Sequence, residues 1–137
     1  MSIDWASLRP LEGSRHKAFE ELCSHLASAE PVPTGSKFIR KGAPDAGLEC
    51  YWKLPSGDEW GWQAKFFLSK PGASQWAQID ESVKRALSSP PNLTRYFICL
   101  PLDRPDPRKG GESWFMDEWN NHEKKWMKLA KDRGRTI

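Results

Sequence analysis

Cysteine is scarce and unpatterned in this chain. Cys23, Cys50 and Cys99 are odd in number and none belongs to a CxxC pair. That argues against a disulfide-stapled scaffold and leaves little support for a zinc site. Each lies in an apolar segment, so all three read as buried free thiols. Histidine is equally thin: His16, His25 and His122 form neither an HxxxH nor an HExxH pair, which removes the usual imidazole metal sites. No run approaches the roughly 20 apolar residues that a membrane-spanning helix needs. The opening Met1-Ser2-Ile3-Asp4-Trp5 has no basic stretch and no apolar core of a signal peptide. The expected location is the cytoplasm. Neither internal repeats nor low-complexity tracts interrupt the chain.

What is present suits one soluble domain. The 137 residues are 38% hydrophobic and 28% charged, enough for a single real core. A net charge of +3 is compatible with nucleic acid, yet far from a basic tail. The eight tryptophans are many for this length. Trp60, Trp62, Trp76, Trp119 and Trp126 fall at core-compatible positions, and packing is the simplest role for most of them. Base stacking is open to one or two.

Residues 1–12 read as an irregular lead-in to a single domain over 13–137. Ser14 can cap a helix whose Phe19, Leu22, Cys23 and Leu26 repeat at helical spacing. Two prolines and a glycine make 30–36 a loop. Lys37 to Lys41 is a short strand candidate, and a glycine-flanked turn covers 42–47. Leu48 to Leu54 and Glu59 to Phe67 alternate with a period of two and flank Pro55-Ser56-Gly57-Asp58, a hairpin signature. A second helix is expected from Gln75 to about Ser88, capped by Ser74. Trp76, Ile79, Val83, Ala86 and Leu87 form its apolar stripe, while Gln78 and Asp80 face away from it, toward solvent or within reach of a DNA backbone. Thr94 to Leu100 ends in an apolar run, which suggests a strand buried on both faces. A proline-rich basic loop over 101–111 precedes a long helix from about Ser113 to Arg133, with Phe115, Trp119, Trp126 and Leu129 inward. The expected fold class is α/β: a mixed sheet in the order αβββαβ, helices on both faces, and a further helix. Arg135-Thr136-Ile137 resembles the entry to another strand, so the chain reads as the N-terminal part of a longer protein.

Chemistry concentrates on the strand Trp60-Gly61-Trp62-Gln63-Ala64-Lys65-Phe66-Phe67 and the segment Pro44-Asp45-Ala46-Gly47-Leu48-Glu49. Alternation places Gln63 and Lys65 on one side, off the face of Trp60, Trp62, Ala64 and Phe66. The hairpin brings Glu49 toward them. Phosphodiester hydrolysis needs an activated water and a neutralised anionic transition state, and Mg²⁺ held by hard oxygen ligands supplies both. Glu49 or Asp45, the Gln63 side-chain carbonyl and the Ala64 backbone carbonyl are the candidate ligands, with Mn²⁺ as a substitute cation. Lys65 is the candidate to orient water or stabilise charge. Glu20, beside the apolar stripe of the first helix, is a further candidate carboxylate. Arg40, Lys41 and Lys53 are candidate phosphate contacts.

This layout resembles the PD-(D/E)XK nuclease superfamily, and within it the Mrr-like restriction endonucleases. The shared features are the αβββαβ order, Gln63-Ala64-Lys65 as a Q-x-K motif, Asp45-Ala46-Gly47-Leu48-Glu49 as the acidic segment, and Phe19-Glu20 on the first helix. The family's metal-binding Asp falls on Glu49 and its turn Asp on Asp45, which leaves the principal ligand open between them. In finer detail the chain is similar to the N-terminal nuclease effector of bacterial antiviral STAND-type ATPases. The resemblance implies a restriction-endonuclease-like fold and a metal-dependent endonuclease acting on double-stranded DNA. It further implies an anti-phage effector switched on when a homodimer or higher oligomer assembles. Two other functions stay open: a non-catalytic nucleic-acid-binding or assembly module on the same fold, and a Holliday-junction resolvase.

Overall fold

The computed structural model describes residues 4–41, 48–69, 71–88, 92–102 and 114–134. The turn carrying Asp45, and all but the first two residues of the basic loop, lie outside them. After a 3₁₀ turn at Trp5–Ser7 come α1 (Arg15–Ser28), β1 (Lys37–Arg40), β2 (Cys50–Lys53), β3 (Glu59–Ala64), α2 (Ala73–Ser88), β4 (Leu93–Cys99) and α3 (Trp114–Asp132). The four strands form one mixed sheet in the order β1-β2-β3-β4. β1 and β3 flank β2 antiparallel, and β4 runs parallel to β3. That parallel step needs a crossover, which α2 provides. The expected mixed α/β class is the observed one.

Local chemistry explains most boundaries. Ser14 Oγ accepts from the Lys17 N–H at 3.2 Å, the expected cap of α1. The α2 cap differs from expectation. Gly72 precedes the helix, and Gln75 Oε1 reaches back to its N–H at 3.0 Å, half of a capping box. Ser74 is already helical. The hairpin closes where Leu54 N donates to Asp58 O at 2.8 Å, with Gly57 at φ +96 supplying the left-handed turn residue.

α1 covers one face of the sheet. Phe19 and Cys23 pack with Ala64, and Ala27 packs with Cys50 and Trp62. The buried stripe therefore runs through positions 19, 23 and 27. Leu26, expected on it, is 64% exposed, because the sheet meets α1 along the i, i+4, i+8 row. α2 covers the other face, with Ala86 against Leu48 and Leu93, and α3 packs on α2 through Phe115 and Ala130. Asp80 belongs to that helix–helix contact and not to the surface. Its Oδ1 accepts from Trp126 Nε1 at 2.7 Å and lies 3.2 Å from His122 Nδ1, and His122 stacks on Trp76. The apolar run of β4 implied a strand buried on both faces, yet only Leu93 is fully buried. Phe97 stacks on Trp62, while Ile98 packs toward α2 and α3. Its residues after Leu93 stay partly accessible because β4 is an edge strand.

Gly61 is required by close approach. A Cβ there would collide with Leu48 Cδ2 and stand 3.1 Å from Leu93 Cδ1, and both leucines are buried. Gly61→Ala should therefore destabilise the fold by about 1–3 kcal/mol, the usual cost of overpacking. A urea titration followed by tryptophan fluorescence reads this directly; an unchanged midpoint would contradict it.

Candidate active site

The expected site residues sit at the end of β3 and the entrance to β2. Glu49 N donates to the Trp62 carbonyl at 2.7 Å, and its own carbonyl accepts from Lys41 N at 2.9 Å. Those bonds hold Glu49 beside the strand that carries Gln63. The Gln63 side chain then meets it directly: Nε2 donates to Glu49 Oε1 at 2.8 Å and to the Ala64 carbonyl at 3.2 Å. Gln63 is 4% exposed. Alternation alone placed it on a polar face. The structure buries it instead, because α2 and α3 cover that face as α1 covers the other.

The remaining atom of that amide is unusual. Gln63 Oε1 is buried and accepts no hydrogen bond from any of the described residues. A buried carbonyl oxygen without a donor is costly, by about 1–3 kcal/mol, unless something outside the chain meets it. A cation would do so. Glu49 carboxylate, Gln63 carbonyl and Ala64 carbonyl are three hard oxygens within one residue cluster, the donor chemistry that Mg²⁺ selects. The amide orientation follows from its hydrogen bonds. As bonded, the amide turns Nε2 and not Oε1 toward the other two oxygens. Meeting one cation together with them requires it to turn over. That would put Oε1 where Nε2 stands, at 2.8 and 3.2 Å from Glu49 Oε1 and the Ala64 carbonyl, a set of hard oxygens of the kind Mg²⁺ takes. Among the described residues no three His, Cys, Asp or Glu side chains converge as ligands.

Lys65 follows the last residue of β3 and stays in the ladder, its N–H donating to the Cys99 carbonyl at 3.0 Å. Its side chain is half-buried. By the strand's alternation it stands on the side of Gln63.

Other candidates separate from this cluster. Glu20 pairs with His16 on its own helix at 2.7 Å. Its neighbour Glu21 makes the longer reach, taking Arg40 in a two-pronged pair at 3.0 and 2.7 Å and also His25 at 3.0 Å. Sequence reasoning missed that role. Residues 20 and 21 differ by about 100° around the helix, and only the packing of α1 reveals which one faces β1. Arg40 and Lys41 lie at the Glu49 end of the sheet, opposite Cys50 and Glu49. Lys41 Nζ also sits 5.8 Å from the Tyr51 ring centre. Lys53 pairs with Lys37 and Glu59 at the far end of β2, about 13 Å from Glu49 by strand rise. A phosphate near Glu49 would thus find Arg40 and Lys41 closer than Lys53.

The Arg40 guanidinium holds the Glu21 carboxyl below its usual value of 4.5 through their hydrogen bonds, against a smaller opposing effect of burial. A folded-state value below the unfolded one stabilises above the unfolded value and is lost as pH falls through the folded one. The pair is solvent-exposed, so its worth is below about 1 kcal/mol. Arg40→Gln should therefore lower stability slightly at pH 7 and not at all near pH 2. Urea midpoints at both values check this; an equal loss at the two would point to packing instead of charge.

Comparison with known proteins adds no relative: no family model, no curated protein and no solved structure matches the chain. No helix among the described residues is long and apolar enough to cross a membrane.

Proposed function

We propose that this chain is a Mg²⁺-dependent DNA endonuclease domain of the PD-(D/E)XK type, with Mn²⁺ able to substitute. The observation that carries the reading is the buried Gln63 amide, whose Nε2 meets Glu49 and the Ala64 carbonyl and whose Oε1 has no partner among the described residues, with Lys65 just past the end of the same strand. Glu49, Gln63 and Ala64 would hold the cation, and Asp45 is the further acidic ligand proposed from the sequence. The bound cation supplies Lewis acidity and a water of lowered pKa. Lys65 orients that water and sets a positive charge against the negative charge growing on the phosphoryl oxygens. Arg40 and Lys41 steer the phosphodiester backbone of double-stranded DNA toward Glu49. The setting that best suits the motif resemblance is an anti-phage effector, active once a homodimer or larger assembly forms.

A second reading, a binding or assembly module without catalysis, draws on the amide at position 63, which brings no negative charge to a dication. Plasmid cleavage by the purified chain decides between them, run with Mg²⁺, Mn²⁺ or EDTA, alone and as a forced-dimer fusion. Nicking or linearisation with metal and none with EDTA supports the nuclease. No cleavage by the fused dimer, together with no Mn²⁺ binding by calorimetry, would move the assignment to the module. Faster cutting of four-way junctions than of linear duplex would indicate a resolvase.

A further inference from the structure

The three thiols are gathered on the α1 side of the sheet. Cys23 projects from α1 into the cluster formed with Phe19 and Ala64, and Cys99, the last residue of β4, packs against that cluster. Cys23 and Cys99 thus share one cluster and line one cleft. Cys50 lies nearby in the adjoining cluster with Ala27 and Trp62, and it is wholly buried. The Cys23–Cys99 pair is not sealed. A cleft of about 220 Å³ opens over it, with Trp5, Phe19, Leu22 and Trp62 also in its walls. Cys99 is itself partly accessible. Two thiols in one cluster, on residues 76 apart in sequence and reached by an open cleft, are the ingredients of a reversible oxidation site.

We infer that Cys23 and Cys99 form a dithiol that a peroxide oxidises to an intramolecular disulfide, with Cys50 left as a free thiol. Cys99, the residue with the greater accessible surface, attacks one peroxide oxygen. The O–O bond breaks, one water leaves and a sulfenic acid remains. The Cys23 sulfur then displaces the hydroxyl as a second water, and the S–S bond closes. Two thiols are oxidised by two electrons in all, and the peroxide is reduced to two waters. The Cys99 carbonyl also accepts from Lys65 N. The crosslink thus ties α1 to the strand end that abuts the proposed catalytic lysine. The inference does not rest on the nuclease assignment.

The test is peroxide treatment of the fully reduced chain, followed by alkylation of the remaining thiols, intact mass and peptide mapping without reductant. The expected result is a monomer that has lost two of its three reactive thiols, shows a Cys23–Cys99 linked peptide and regains all thiols with dithiothreitol. Cys50→Ser should still form the bridge, and Cys99→Ser should not. Three thiols still alkylated after peroxide, a bridge to Cys50, or only intermolecular or irreversibly oxidised products would each overturn the proposal. Because the wild-type chain carries the main readout, a variant that fails to fold leaves the test intact.

Discussion

Lys65→Ala should lower metal-dependent plasmid cleavage by about 10²–10⁴-fold, the span attached to a positioned proton-transfer or charge-stabilising group. The backbone at this position is held independently of the side chain, since Lys65 N donates to the Cys99 carbonyl. The strand end should therefore persist in the mutant. Truncating a half-buried lysine just past the end of β3 has no large stability cost. Loss of activity with an unchanged urea midpoint would place chemistry at Lys65; retained cleavage would sink the proposed site. Lys65→Arg is informative too. A planar guanidinium does not replace a compact ammonium in water positioning, so that variant should stay impaired although it keeps the charge.

The largest effect on stability is expected at Trp62. It is 6% exposed, stacks on Phe97 with ring centres 4.7 Å apart, and packs against Ala27 and Cys50. One side chain thereby joins β3, β2, β4 and α1. Trp62→Ala removes that junction and leaves a cavity between the sheet and α1, at a cost of about 3–5 kcal/mol. Against a total of about 5–15 kcal/mol for an ordinary domain, much of the stability margin disappears. The same substitution at half-buried Trp60, whose ring lies 4.5 Å below the Arg95 guanidinium, should cost much less. Urea midpoints of the two variants rank them, and an equal or reversed order would contradict this account of the core. The buried position also removes Trp62 from any base-stacking role.

Much of the architecture was written in local patterns. Ser14 ahead of a helical stripe, Pro55 to Asp58 between alternating runs, and the continuous apolar residues of β4 each state a local physical preference. Those preferences do not depend on what packs against them. The encounter of Glu49 with Gln63 was legible for the same reason, because a short hairpin sets the register of its two strands.

What sequence could not decide is anything that depends on which face a neighbour covers. Alternation separates the two sides of β3 but cannot tell a solvated side from one sealed by α2 and α3. Gln63 therefore looked exposed and proved buried. Helical periodicity marks an apolar stripe without its exact azimuth. Leu26 faces solvent, and Glu21 in place of Glu20 reaches across to β1. Asp80 looked solvated until α3 brought Trp126 and His122 to it. The meeting of Cys23 with Cys99 has no sequence signal at all, since it exists only because α1 lies across the end of β4. The sequence by itself determined the elements and their order, through caps, turns and periodicity that act within a few residues. The tertiary structure alone decided burial, partner choice and the orphaned oxygen of Gln63, because those follow from surfaces that meet only when distant segments pack.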